Sequence, residues 1–394
     1  MMNIKRKIRS GMAVVAFLLI FPSLLTGCWN NRDLVNINIV AGLGLDRTED
    51  GKILLTIQVV EPAAIQSTVS NNREGNGSQQ KPVFVVSYEG ETVSEALRGV
   101  LAIAGKKMFL STAQVLIFGE RLLQDGIEEV LDFFQRENEM DYGMDILVAK
   151  DATPKEILEI ETDIDSIPIL YIKGTIDNTN LRGTVKKTIL VDLLKDIGER
   201  GIVPVIGGIS IAGEKEVRTE GIAVIKDGRL AGWLGQHETM GYMFATDKVK
   251  SAIVNVPADN GKAAIEIIGS KGKVNVVFKN GKPYMLTVKV KTKASVGEYK
   301  GKGKLDSPDK LYVLEKNLEE EIKKEIMMTV EKAQKEYSSD IFGFGVYVRK
   351  YHPQYWKKVE KDWNDIFSKL PVDIQVTANI MRTGIIKCPI NKDE

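Results

Sequence analysis

The most reactive side chain is a thiol at the end of an apolar run. Lys5, Arg6, Lys7 and Arg9 precede an apolar stretch over residues 12–25, which closes on Leu25-Thr26-Gly27-Cys28. This is the layout of an export signal. The stretch is shorter than the roughly 20 residues a helix needs to cross a bilayer core, so it reads as a removable segment rather than a permanent span. Lipoprotein signal peptidase accepts small residues before a cysteine whose sulfur already carries diacylglycerol. Residues 1–27 are therefore expected to be removed, leaving Cys28 first in the exported chain and lipid-bound at the outer membrane face. Two acyl chains hold stably where one binds only marginally, at about 0.8 kcal/mol per buried CH2.

Other reactive groups are sparse. The histidines are His237 and His352, with no Glu at metalloprotease spacing, and no G-x-S-x-G elbow occurs. Cys388 has no partner once Cys28 is a thioether, so no disulfide is expected. Gly42-Leu-Gly44 lacks the third glycine and following helix of a dinucleotide loop, and fits a bulge or close backbone contact better. Asp163 and Asp165 are too few to cage a cation that takes six or more oxygens, and read as a solvated loop. Neither a catalytic residue, a metal site nor a cofactor is expected. Four of the 54 basic residues precede Cys28 and none of the 53 acidic ones does, so the chain from Cys28 on carries about three net negative charges. No overall field favours nucleic acid.

A second cluster combines aromatic and basic residues. Tyr347, Tyr351 and Tyr355 recur every four residues among Arg349, Lys350, Lys357, Lys358 and Lys361, with Trp356 and Trp363 nearby. Such a mixture suits contact with lipid headgroups or an acidic partner. The commoner arrangement is a pair of helices that pack aromatics inward and display lysines.

The elements around these residues follow from periodicity and turn chemistry. Strands at 37–45 and 52–60 flank Asp50-Gly51 as a hairpin, and a polar loop follows at 66–81. Strand, helix, strand, helix and strand follow at 83–88, 92–104, 113–118, 126–135 and 144–149, with Val130, Phe133 and Phe134 on a buried helix face. Thr153 caps a helix opening at Pro154, and another helix covers 188–199. Gly201, Pro204, Gly207 and Gly208 interrupt regular structure and mark the boundary. Beyond it, two short strands at 221–225 and 229–234 flank the turn Lys226-Asp-Gly228, and strands at 249–256, 263–268, 274–278 and 284–296 form a meander broken at Asp259-Asn-Gly261, Lys271-Gly272 and Asn280-Gly281. A long helix at 307–337 is apolar from Leu311 to Tyr337 on one face and Glu/Lys on the other. Helices surround Pro353, and an alternating strand at 372–380 can re-enter the sheet. The expected class is α+β, multi-domain, with mixed and antiparallel sheets each covered by helices. The expected division is 28–205, with an inner unit near 83–150, and 206–394.

The residues after the cleavage site, Cys28-Trp29-Asn30-Asn31-Arg32-Asp33-Leu34 and then Ile39-Val-Ala-Gly-Leu-Gly-Leu-Asp46, resemble the mature start of the Ger(x)C lipoproteins, the C subunits of bacterial spore germinant receptors. Those usually read CWD-x-R-E-L; Asn30 and Asp33 depart from that pattern and leave the lipobox intact. The resemblance continues through Gly221 to Leu234, Gly241-Tyr242, Asp340-Ile-Phe-Gly-Phe-Gly345, Trp356 and Arg382-Thr-Gly384, across essentially the whole mature chain. It implies a non-enzymatic lipoprotein at the outer surface of the spore inner membrane, complexed with A- and B-type polytopic subunits in a nutrient receptor. Two rivals differ in kind. A solute-binding lipoprotein of a transporter would show two similar lobes around a cleft, and an anchored hydrolase would show a convergent acid and base.

Overall fold

The computed structural model describes residues 37–62, 64, 81–181, 183–259, 261–300 and 307–382. Residues 25–28, residues 66–80 of the expected polar loop, Gly384 and Cys388 lie outside the described residues. β1 (Ile37–Arg47) and β2 (Ile53–Val60) pair antiparallel across Asp50-Gly51, as the turn dipeptide predicts. β3 (Val83–Gly90) adds to β2. On the other side of β1 lie β4 (Lys107–Phe109) and β5 (Val115–Phe118), both parallel to it, then β6 (Asp145–Ala149) and β7 (Val205–Gly213), also parallel. β8 (Glu216–Lys226) and β9 (Arg229–Leu234) complete a mixed nine-stranded sheet in the order β3-β2-β1-β5-β6-β7-β8-β9, with β4 beside β1.

The central strands read as unbroken apolar runs because both faces are covered. Leu116, Phe118, Ile146 and Val148 face a core shared with α1 (Val93–Ala104), α2 (Glu120–Asp125), α3 (Glu128–Arg136) and, later in the chain, α6 (Leu190–Gly198). Val115, Ile117, Leu147 and Ala149 face α4 (Pro154–Leu158) and α5 (Pro168–Asp177). Val130 and Phe134 are buried, with Phe133 packed edge-on to Phe134 at 5.4 Å. Thr153 and Glu156 cap α4 reciprocally. Gln58, fully buried, donates to Leu158 O and accepts from Ile169 N, tying the end of α4 to the start of α5.

Gly207 and Gly208 do not break the chain. They sit inside β7, where a Cβ would lie 2.6 Å from Lys186 O and Glu220 O respectively. The glycines serve close backbone approach, a use that local composition cannot distinguish from a break. Strands β7–β9 thus join the first sheet, and the expected line at 205/206 falls at the head of β7.

The second sheet holds β10 (Ala252–Ala258), β11 (Gly261–Lys279), β12 (Lys282–Tyr299) and β13 (Val372–Arg382) in that order, antiparallel except for β13 on β12. Asn280 and Gly281, both at positive φ, form a two-residue hairpin turn. The strands expected at 263–268 and 274–278 are one strand, β11. Gly272 pairs with Val290 and passes under α7 (Gln236–Ala245), where a Cβ would meet Phe244 O at 2.1 Å.

α8 (Pro308–Glu331), capped by Ser307, lays Leu314, Leu318, Ile322, Ile326 and Val330 on this sheet and ends in a turn of π-helix. Its Glu319 and Glu315 accept the N–H groups of Ala378 and Ile380 at 3.1 and 2.8 Å, satisfying part of the β13 edge. α9 (Phe344–Tyr351), α10 (Pro353–Val359) and α11 (Trp363–Phe367) complete the cover. One core joins this sheet and its helices to Val205, Ile222, Val224 and Leu234 of the first and to Val203 just before it. The class is α+β, with sheets covered by helices, as the patterning predicts.

Candidate functional site

The aromatic and basic segment divides into a buried and an exposed half. Trp356 is only 4% exposed and packs against Trp363 with ring centroids 5.8 Å apart, so its part in an outward contact is corrected: it belongs to the core. Tyr355 stands edge-on to Phe278 at 5.4 Å, while His352 stacks on the same ring at 3.7 Å. Burial pushes the Tyr355 phenol up. Tyr347 is half-buried against the core and lies 4.6 Å from the Tyr351 ring, which is 57% exposed. Lys357 and Lys358 are exposed, whereas Arg349 pairs with Glu199. Tyr351, Lys350, Lys357, Lys358 and Lys361 therefore form the exposed part of the segment.

At the centre of these helices is a carboxylate that the aromatic pattern does not flag. Asp340 is fully buried. Its Oδ1 accepts from the N–H groups of Phe342 and Gly343 at 3.1 and 2.9 Å, and its Oδ2 from Gly345 N at 2.7 Å and Trp363 Nε1 at 2.8 Å. Its backbone carbonyl accepts from Val203 N and its N–H donates to Asn364 Oδ1. Burial pushes its pKa up to about 6, against the Trp363, Gly345 and Gly343 donors, which lower it. Four donors and no acceptor select the ionised form. Gly201 and Gly345 let the segments meet: a Cβ on Gly345 would lie 2.6 Å from Gly201 O. The arrangement clasps α9 and α11 to the segment leading into β7, and leaves no lone pair turned to solvent.

A second buried acid sits where α7 crosses α8. Glu325 belongs to the face read as wet Glu/Lys, yet its side chain is 9% exposed. Its Oε1 lies 3.4 Å from His237 Nδ1, and its Oε2 is buried without a hydrogen-bond partner. Burial raises its pKa to about 7, partly offset by His237. The folded chain then holds a proton that the unfolded chain releases above about pH 4.5, so this group's contribution to stability falls as pH rises from about 4.5 to 7. The full shift corresponds to on the order of 3 kcal/mol. In urea unfolding at the two ends of that window, wild type is expected to lose more stability with rising pH than Glu325→Gln, which also gains stability at neutral pH. Parallel pH profiles would contradict this.

The remaining candidates are structural. Gly42 and Gly44 lie in β1, beside a bulge, where a Cβ would meet Ile169 Cδ1 at 2.6 Å and Pro154 Cβ at 2.8 Å. Asp163 pairs with Lys215 at 2.7 Å on an exposed surface. Asp145, buried at the start of β6, is held by Lys173 and Lys187. Among the described residues no group of three His, Cys, Asp or Glu side chains is placed to hold a metal ion, and no helix is long and apolar enough to cross a membrane.

Comparison with known proteins gives one consistent answer. A model described as "Spore germination protein N-terminal domain" matches residues 30–211, and one described as "Spore germination B3/ GerAC like, C-terminal" matches residues 220–384. Spore germination protein KC of Bacillus subtilis is 29% identical over 96% of this chain and 97% of its own length. Spore germination protein B3 of the same organism is 25% identical over 96% and 99%. A crystal structure of the GerBC protein shares the fold, with a TM-score of 0.55, 21% identity, and coverage of 86% of this chain and 97% of that one. With both halves matched in order and relatives aligned end to end, the chain belongs to the GerAC-like, or Ger(x)C, family of spore germination proteins.

Proposed function

We propose that the chain is the C subunit of a nutrient germinant receptor, a non-catalytic lipoprotein. Diacylglycerol on Cys28 tethers it at the outer surface of the spore inner membrane, and it works through assembly with A- and B-type polytopic subunits. The observation that carries the reading is the end-to-end match to spore germination proteins. A non-catalytic role is supported by what the buried acids do: Asp340 is spent on four internal donors and Asp145 on two lysines. Tethering confines the chain to the plane of its partners and raises its effective concentration there. The transporter alternative calls for two similar lobes; here one sheet has nine strands and the other four, in different orders.

The test is affinity purification of the tagged chain from spore inner membranes. Two polytopic membrane proteins are expected to co-purify. Recovery of only a transporter permease and ATPase would replace this reading with the solute-binding one.

A further inference from the structure

The face of the second sheet turned away from α8 carries an unusual charge pattern. In the β11–β12 pair Lys271 stands directly opposite Lys291, and Lys273 directly opposite Lys289; Lys293 follows, opposite Gly269. All five lysines are exposed. The next strand sets uncharged Gln375, Thr377 and Asn379 against Lys289, Lys291 and Lys293. Three acids share this face, at its ends: Glu266 is engaged with Ser295 Oγ at 3.4 Å, Glu298 pairs with Lys300 at 3.2 Å, and Asp373 accepts from Gln375 at 2.7 Å. No ion pair joins any of the five lysines to a described residue. Like charges placed opposite one another in a ladder destabilise it, so the isolated fold carries a cost that negative charge from outside would relieve.

We propose that this face is a docking surface for an anionic phospholipid bilayer. Three features favour a lipid surface over an acidic protein. The trough between the lysine stems, about 520 Å³, is open, and Lys271, Lys291, Lys293, Thr377 and Asn379 are among the residues that line it. The charges are all lysine, mobile point charges without the planar fork that fixes a carboxylate partner. Exposed Ile253, Ile268 and Met381 flank the patch at one end and Val277 at the other, so long lysine stems and apolar side chains share one surface, as at a headgroup boundary. Each lysine near an anionic surface raises partitioning roughly fivefold. The inference builds on the anchored reading for the nearness of a bilayer: Ile37 lies nine positions after Cys28, a reach of at most about 32 Å.

The test is lysine acetylation read by mass spectrometry on the full chain with vesicles of phosphatidylcholine alone or mixed with phosphatidylglycerol. Acetylation of the five lysines is expected to slow by roughly fivefold or more in the mixed vesicles, with the protection lost in high salt. Lys324 and Lys335, from the helical side, serve as unchanged references. In the triple variant Lys271→Glu, Lys289→Glu, Lys291→Glu, extra binding to the mixed vesicles disappears. Equal acetylation in both vesicle types, or undiminished extra binding by the triple variant, overturns the proposal. So does protection that arises only with co-purified membrane subunits, which would assign the face to an acidic protein surface. Binding to pure phosphatidylcholine reports the Cys28 anchor separately, so failure of one reading is distinguishable from failure of the other.

Discussion

Replacing Asp340 with Ala is expected to cost the fold about 3–5 kcal/mol, among the largest effects of any single substitution in the chain. The carboxylate receives three backbone N–H groups and the Trp363 indole within the buried core, and none of these donors has water as a substitute. Truncation leaves all four unsatisfied and opens a void beneath α9. Asp340→Asn keeps the volume but turns an NH2 group toward donors, so it falls between Ala and wild type. In thermal unfolding, Asp340→Ala should lower Tm by on the order of 10 °C. A loss under about 1 kcal/mol would mean that the four bonds do not hold these helices in place.

Cys28→Ala is expected to have the largest functional effect. Without the sulfur there is no thioether, no cleavage after Gly27 and no pair of acyl chains, and the processed, membrane-held form should vanish from fractionated spores. Loss of confinement lowers the effective concentration at the partner subunits, so germination in response to nutrient should fall by on the order of 100-fold. Thermal stability should match wild type, which separates this variant from Asp340→Ala. Normal membrane retention together with normal germination would remove Cys28 from the account.

How far these features are legible in the sequence depends on how local their causes are. The Asp50-Gly51 and Asn280-Gly281 turns and the Thr153–Glu156 cap depend on neighbouring residues, and patterning reads them correctly. The alternation in β12 marks Lys289 and Lys291 as part of a wet face, but the opposition of Lys271 to Lys291 exists only once the register is formed. Lys271-Gly272 looks like a turn because the reason for the glycine, the carbonyl of Phe244, lies on another element. Glu325 reads as one of the wet Glu/Lys residues of α8, although Leu318, Ile322, Glu325 and Thr329 recur three or four apart as a buried stripe would. The charge of Glu325 outweighed that spacing. Asp340 stands beside three of its donors in the chain, yet its fourth comes from Trp363, and its burial requires Gly201 and Gly345 to meet. Trp356 shows the same ambiguity in reverse: an aromatic among lysines can read as contact or as core, and the commoner arrangement, core, is the one it takes.

The central claim, a chain held at the membrane by lipid on its first mature residue, is tested most directly by mass spectrometry of the N-terminal peptide from protein purified out of spore inner membranes. The account predicts a peptide that begins at Cys28 and carries diacylglycerol on its sulfur. A peptide with residues 1–27 still attached, or one that contains Cys28 as a free thiol, would contradict it.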